Sequence, residues 1–312
     1  MPHFHSLAEA ASALSLGGCV LTIGTFDGVH TGHQVILRGV IADARRLQLP
    51  SVVIYFFPSP VEVLRGVEQR YYLTHPDERA GYMSALGIDH TIAMNFSAEL
   101  AAQPAETFMQ QVCQALHPAI IRVGYDFALG KGRNGDIPAL MKLGNELGYE
   151  LISVAPEKVD SEIASSSKIR FLLKTGKIRS AARLLGRPYH LEGPVIRGDQ
   201  IGAKLGFPTA NLRVWDRLLL PLNGVYATLA WLDDAYYPSV TNIGIRPTIT
   251  GSGEMRVETH ILDFSQDIYD RILKIELVDF LRPEKSFASR SELVLQVQQD
   301  IAHAREVLAY AP

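Results

Sequence analysis

The amino-acid sequence predicts an α/β protein: an N-terminal doubly wound parallel sheet, then a mostly antiparallel β-barrel domain with a C-terminal helix. Three observations carry that reading. Between residues 19 and 156, short β-rich runs alternate with amphipathic segments, the pattern of a parallel sheet wrapped by crossover helices. After Tyr189 the pattern becomes strand-like alternation broken by glycine and aspartate turns. The 312 residues also exceed what one hydrophobic core ordinarily serves, so two domains are expected.

The elements follow in order. Cys19–Ile23 is an apolar run that reads as a buried strand, and it leads through a glycine-rich turn into a helix over Gln34–Leu47. There Ile36, Val40, Ala44 and Leu47 recur at helical spacing. Further strands are expected at Ser51–Phe57, His90–Asn95, Ala119–Val123 and Glu150–Val154, with helices at Pro76–Leu86, Ala105–Leu116 and Pro138–Leu147. Thr74, three residues before Asp77, offers the helix at Pro76 a cap, and proline suits a first turn. A helix over Ser166–Leu185 ends at Gly186-Arg187-Pro188. The domain boundary is therefore placed near residues 183–188, dividing the chain into 1–185 and 186–312. Beyond it come Val195-Ile196, a glycine-spaced loop, and a strand over Val225–Trp231. Asp233-Asp234 reads as a hairpin turn before Tyr236–Val240. Strands at Arg256–Leu262 and Ile272–Phe280 precede a helix over Ser289–Leu308, whose Leu293, Val297, Ile301, Ala304 and Leu308 share one face.

Composition narrows the function classes. The chain is 47% apolar and 20% charged with a formal net charge of −3, which gives no basic footprint for nucleic acid. No apolar run approaches the ~20 residues of a membrane span, and Met1-Pro2-His3-Phe4-His5 carries no basic, signal-like start. Two cysteines, Cys19 and Cys113, are too few for a disulfide scaffold and read as reduced core residues, so a cytoplasmic location is expected. Small molecules, with neither nucleic acid nor membrane, are the expected partners.

The densest chemical signal is Gly24-Thr25-Phe26-Asp27-Gly28-Val29-His30-Thr31-Gly32-His33. It places two histidines one turn apart where a strand passes into a helix, and there the helix N–H groups and dipole favour an anion. Imidazoles at such a spot can bind phosphate oxygens and steady the charge that develops as a phosphoanhydride breaks. Gly130-Lys131-Gly132-Arg133-Asn134-Gly135 matches the Gly-x-Gly-x-x-Gly dinucleotide pattern, but it does not directly follow a strand, and the first strand-to-helix turn is already taken. Its Lys131 and Arg133 suggest a mobile basic loop over phosphates, or a solvated surface turn. Ser165-Ser166-Ser167-Lys168-Ile169-Arg170 opens a helix and reads either as a cap or as a triphosphate clamp.

The second half carries Gly193-Pro194-Val195-Ile196-Arg197-Gly198-Asp199-Gln200-Ile201-Gly202-Ala203-Lys204-Leu205-Gly206-Phe207-Pro208-Thr209-Ala210-Asn211. Its glycines let the backbone approach a ligand, and Thr209 and Asn211 offer oxygen ligands suited to Mg2+ beside phosphates; a glycine-rich barrel corner is the plainer reading. Glu258 is either a surface residue on an alternating strand or a carboxylate able to accept an alcohol proton. The chain has no Gly-Lys-Ser/Thr P-loop.

The first of these segments resembles the His-x-Gly-His signature of the nucleotidyltransferase superfamily, in the form found in flavin adenylyltransferases. The segment Ser165-Ser166-Ser167-Lys168-Ile169-Arg170 resembles the Ser-Ser-Thr-x-Ile-Arg motif that accompanies it, with Ser167 in place of threonine. Gly124-Tyr125-Asp126-Phe127 resembles the element near the adenine and ribose. Gly206-Phe207-Pro208-Thr209-Ala210-Asn211, Asn242-Ile243-Gly244-Ile245-Arg246-Pro247-Thr248 and Val257 to Phe264 are similar to riboflavin kinase motifs. From about residue 15 to 308 the chain resembles the bacterial-type bifunctional riboflavin kinase/FAD synthetases.

The resemblance implies that the C-terminal domain phosphorylates riboflavin to FMN and that the N-terminal nucleotidyltransferase domain adenylylates FMN to FAD, each step using ATP and Mg2+. It implies catalytic roles for His30, His33 and Glu258. In the adenylyltransferase it implies nucleotide binding by Gly24, Phe26, Asp27, Asp126, Arg133, Ser166, Ser167 and Arg170. In the kinase it implies nucleotide binding by Gly198, Gly202, Lys204, Gly206, Phe207, Pro208, Thr209 and Asn211, with Thr209 and Asn211 on the metal. Three positions depart from the pattern. Ser59 replaces the histidine of Pro-His-Pro, Ala128-Leu129 lacks an arginine, and Ala203 stands where many relatives carry one. A chain with one active half, a transferase for another phosphomonoester, and a non-catalytic flavin- or nucleotide-binding module are the alternatives.

Overall fold

The structure is a computed structural model that describes residues 3–14, 17–67, 70–198, 201–246 and 254–309. It divides into two compact units, Met1–Ser166 and Ser167–Pro312. In the first unit the elements run β1 (His3–Phe4), α1 (Leu7–Leu14), β2 (Cys19–Gly24), α2 (Thr31–Leu47), β3 (Ser51–Phe56), α3 (Pro60–Arg65), α4 (Pro76–Leu86) and β4 (His90–Met94). They continue with α5 (Ala98–Ala102), α6 (Ala105–Leu116), β5 (Pro118–Gly124), α7 (Ile137–Leu147), β6 (Glu150–Val154) and the short pair β7 (Lys158–Val159) and β8 (Glu162–Ile163).

The main sheet has six parallel strands in the order β1-β4-β3-β2-β5-β6. Successive side chains of a strand point to opposite faces, and β2 and β3 divide accordingly. Cys19, Leu21, Ile23, Val52, Ile54 and Phe56 join one buried cluster with Phe108, Met109 and Leu140 from α6 and α7. Val20, Val53 and Tyr55 join another with Leu37, Val40 and Met83 from α2 and α4. A sheet apolar on both faces is what the continuous hydrophobic strands demand. From β2 the chain steps outward to β3 and β4, then returns to β5 on the other side, so the switch point lies between β2 and β5. Ligands of open α/β sheets bind at that point, outside the carboxyl ends of the strands.

The second unit contains α8 (Ser166–Lys174), α9 (Ile178–Leu185), β9 (Tyr189–Ile196), α10 (Ile201–Lys204), β10 (Ala210–Leu212), β11 (Gly224–Leu232), β12 (Ala235–Arg246), β13 (Glu254–Ile261), β14 (Ile272–Arg282) and α11 (Arg290–Leu308). The six strands close into an antiparallel barrel in the order β10-β13-β12-β11-β14-β9. Asp233 and Asp234 make the expected hairpin turn, with φ of 49° and 62°, the left-handed pair that matches strand twist. Inside the barrel a chain of hydroxyls spans three strands: Thr228 Oγ1 lies 2.7 Å from Ser239 Oγ and 2.8 Å from Thr241 Oγ1, which lies 2.9 Å from Thr259 Oγ1. All four residues are fully buried. Helix α11 is capped by Ser289 and tied down by Arg282, whose guanidinium donates to both oxygens of buried Asp300 at 2.7–3.1 Å.

Two expectations change. The helix over Ser166–Leu185 is two helices, broken at Thr175-Gly176-Lys177 where Gly176 takes φ 73° and Thr175 Oγ1 donates to the carbonyls of Phe171 and Leu172. The cap of α4 is His75, whose ring accepts from Asp77 N while Glu78 accepts from His75 N; Thr74 is engaged elsewhere. The Gly130–Gly135 segment is a surface turn of short 3-10 form with residues 131–134 exposed, closed by an antiparallel bridge between Leu129 and Gly135.

Cys19 is fully buried, and that burial, with Cys113 adding to it, pushes its thiol up to about 12. Burial likewise pushes the Cys113 thiol up to about 11. A raised thiol value means the reactive thiolate is scarce near neutrality. Iodoacetamide at pH 8 is therefore expected to leave Cys19 of the native protein unlabelled and to label it fully in denaturant, which mass spectrometry of the peptides reads directly.

Candidate active sites

In the first unit the turn after β2 builds the site. His30 is the N-cap of α2: its backbone is extended, and its Nδ1 accepts from His33 N at 3.3 Å. With Nδ1 accepting, the proton of the neutral ring sits on Nε2, which makes that atom the donor for a ligand oxygen. The His30 and His33 rings stack with centroids 3.6 Å apart, and Phe26 packs against His33 at 5.0 Å. The two imidazoles thus occupy the first turn of a 17-residue helix, where the dipole favours an anion.

The other predicted residues of this half fall as follows. Gly24 ends β2, and Phe26 is buried beneath the turn. Asp126, exposed, follows the end of β5 across the switch point, and Arg133 donates to its carbonyl at 2.8 Å. Ser166 Oγ donates to the carbonyl of Asp27 at 2.8 Å, so that serine touches the histidine turn through the backbone. Ser167 and Arg170 lie on α8, within the second unit. The Asp27 carboxylate points inward: it accepts from Leu73 N, Thr74 N and Arg79 at 3.0–3.3 Å. Ser59 is buried and starts α3, and its N–H donates to the Tyr72 hydroxyl at 2.7 Å.

In the second unit Gly198 to Asn211 passes from β9 through α10 to β10. Asp199 and Gln200 of that string lie outside the described residues, as do Pro247 and Thr248. The chain approaches itself closely here. A Cβ at Gly198 would sit 2.4 Å from Asn211 Nδ2, and one at Gly202 would sit 2.4 Å from the Phe207 carbonyl oxygen. Phe207 packs edge-on to His260 at 5.8 Å, and Pro208 O lies 2.8 Å from His260 Nδ1. Lys204 is exposed on α10, and Gly206 takes φ 91° in the loop beyond it. Register sets the rest: Glu258 on β13 lies opposite Asn211 on β10 and Asn242 on β12. Opposed residues of an antiparallel pair share a face, so two amides flank the carboxylate. Arg256 Nη1 is 3.7 Å from Glu258 Oε1, and Asn242 Nδ2 donates to Glu284 Oε1 at 3.5 Å. Asn242, Arg256 and Glu284 were not singled out from the sequence, although Asn242 opens one of the quoted motifs.

Thr209 and Asn211 both carry neutral oxygen donors, of the kind a hard divalent cation accepts. Among the described residues no group of three or more His, Cys, Asp or Glu is placed to hold a metal ion. A cation held by Thr209 and Asn211 would rest on two neutral oxygens and on the phosphates of its ligand.

Two candidate sites on two different folds, one parallel sheet and one barrel, are the layout of a two-headed group-transfer enzyme. Comparison with known proteins narrows the class. Residues 13–168 match the FAD synthetase family, and residues 185–308 match the riboflavin kinase family. The bifunctional riboflavin kinase/FMN adenylyltransferase of Escherichia coli strain K12 is 36% identical over 304 residues, covering 97% of this chain and 95% of that protein. Its namesake in Pseudomonas fluorescens is 36% identical over 295 residues, with 94% of each covered. The chain belongs to the bifunctional riboflavin kinase/FMN adenylyltransferase family. A crystal structure described as a macrolide-efflux protein from Streptococcus pneumoniae superposes with a TM-score of 0.88 at 28% identity, covering 98% of this chain and 99% of that one. In this chain, among the described residues, no helix is long and apolar enough to cross a membrane.

Proposed function

We propose that the chain makes FAD from riboflavin in two ATP-dependent steps at two separate sites. The observation that carries this reading is the presence of both family halves, in order, on one chain. The adenylyltransferase is assigned to residues 1–185 and the kinase to 186–312, a division supported by the kinase match that begins at residue 185.

In the kinase half, the primary hydroxyl of riboflavin attacks the γ-phosphorus of ATP. An O–P bond forms, the bond to ADP breaks, and Glu258 takes the hydroxyl proton. Asn211 and Asn242 flank that carboxylate and orient it. The Gly198–Asn211 segment, with Lys204, grips the nucleotide through backbone N–H groups and one cation. Mg2+, held by Thr209 and Asn211, would screen the phosphate charge when bound.

In the adenylyltransferase half, a phosphate oxygen of FMN attacks the α-phosphorus of ATP and pyrophosphate leaves. No protein nucleophile is needed; positioning and electrostatics supply the rate. His30 and His33 donate to the phosphate oxygens as charge builds at the transition state. Gly24, Phe26, Asp126 and Arg133 shape the nucleotide's seat, and Ser166, Ser167 and Arg170 hold its phosphates. A cytoplasmic location accords with the two free thiols, Cys19 and Cys113.

A chromatographic time course of riboflavin with excess ATP and Mg2+ tests the assignment. Wild type should show FMN rising and then giving way to FAD. His30→Ala should accumulate FMN, with adenylyl transfer slowed about 10²–10³-fold, the cost of losing one preorganised donor. Glu258→Gln should leave riboflavin largely unconverted, slowed about 10²–10⁴-fold as for loss of a general base, yet still convert supplied FMN. Gly202→Ala, whose methyl would meet the Phe207 carbonyl, should raise the kinase KM for ATP at least about tenfold without touching adenylyl transfer. Wild type stopping at FMN would sink the adenylyltransferase assignment; supplied FMN reacting while riboflavin does not would sink the kinase one.

A further inference from the structure

The turn that presents His30 is strained. Phe26 and Val29 take φ of 49° and 41°, in the left-handed region that side-chain-bearing residues rarely visit, and Val29 is β-branched. Such conformations persist only where the surroundings over-determine them. The surroundings here form a defined set of contacts. Arg79, 1% exposed, donates through Nη1 to the Thr25 carbonyl at 2.9 Å and through Nη2 to Asp27 Oδ1 at 3.3 Å. Thr74 Oγ1 accepts from Gly28 N at 3.2 Å and donates to Asp27 Oδ1 at 3.3 Å. Leu73 N and Thr74 N complete the cradle around the Asp27 carboxylate. The guanidinium lies 5.4 Å from the Tyr55 ring centroid and 5.9 Å from that of Tyr72. Every residue from Thr25 to Gly28 except Phe26 is thus gripped by groups from the segment Leu73–Arg79, and Phe26 is packed beneath.

We infer that Arg79 and Thr74 are positioning residues for adenylyl transfer: they hold Asp27 and the Thr25 carbonyl so that the strained turn delivers His30 and His33 in their capping geometry. Asp27 then serves the reaction from inside the protein, through the turn. The backbone of Val29 sets where His30 begins, and a relaxed Val29 would carry the imidazole away from the helix N-terminus. A lysine at 79 keeps the charge but loses the planar fork that reaches Thr25 and Asp27 together.

The inference rests on the adenylyltransferase reading, and the full-length chain tests both separately. The measurement is the single-turnover rate constant for FMN to FAD, with enzyme in excess over FMN and saturating ATP and Mg2+. That constant does not depend on the fraction of chains that are folded, so simple destabilisation leaves it unmoved. Arg79→Lys is expected to lower it about 10²-fold, the scale of a misplacement near one ångström. Thr74→Val, which spares the ion pair, should lower it about tenfold. KM values for ATP and FMN should change by less than about threefold, because the lost alignment acts in the transition state, and riboflavin phosphorylation should be unchanged. A constant within twofold of wild type in both variants would overturn the inference. So would a large rise in KM at an unchanged saturated rate constant, since that marks direct substrate contact. If Arg79→Lys does not fold, Thr74→Val decides alone. Wild type that forms no FAD sinks the adenylyltransferase reading and the inference with it.

Discussion

A buried guanidinium organises the first unit. Arg79 sits almost wholly out of water between two tyrosine rings, and a charge so placed is tolerable only when it is paired and hydrogen-bonded. Its partners are Asp27 and the Thr25 carbonyl, both on the turn that leaves β2. Removing one member of such a pair ordinarily costs about 3–5 kcal/mol, an energy of the order needed to hold two residues in strained backbone conformations. Two residues are held left-handed as a consequence, and the helix that follows begins on a histidine. The position of the imidazoles therefore depends on a side chain more than forty residues further along the chain.

The barrel solves its positioning problem by register. Thr228, Ser239, Thr241 and Thr259 satisfy one another in the interior, where an unpaired hydroxyl would be costly. A one-residue slip of β13 would turn Thr259 outward and bring Glu258 into the core. Register thus keeps the carboxylate on the outer face between Asn211 and Asn242. The same alternation turns His260 outward, where its ring meets Pro208 O and steadies the loop between α10 and β10.

Much of this was legible in the chain itself. Five of the six strands of the parallel sheet fall within a residue or two of where β-rich runs place them, because strands apolar on both faces leave an unbroken signal. The one that escaped, β1, has two residues, too few for any period. The histidine turn was legible because glycines and histidines crowd a strand-to-helix junction. Thr74 was misread: its spacing suits a cap, but a buried carboxylate competes for its hydroxyl and wins, leaving the cap to His75. Asp27 was given a nucleotide-binding role by the family resemblance alone, whereas its carboxylate is buried against Leu73 N, Thr74 N and Arg79 from a distant segment. The break between α8 and α9 was written as Thr175-Gly176, but an amphipathic stripe running through it concealed the stop.

The sequence by itself determined the alternation of elements, the change of architecture after Tyr189, and the residue types at both sites. These follow from local periodicity, glycine placement and the chemistry of single side chains, which need no partner to be read. Only the tertiary structure decided which acid lies on an outer face and which is buried, which side chain caps α4, and which amides flank Glu258. Those outcomes are competitions among groups far apart in the chain, settled by burial and strand register, and one-dimensional spacing carries neither.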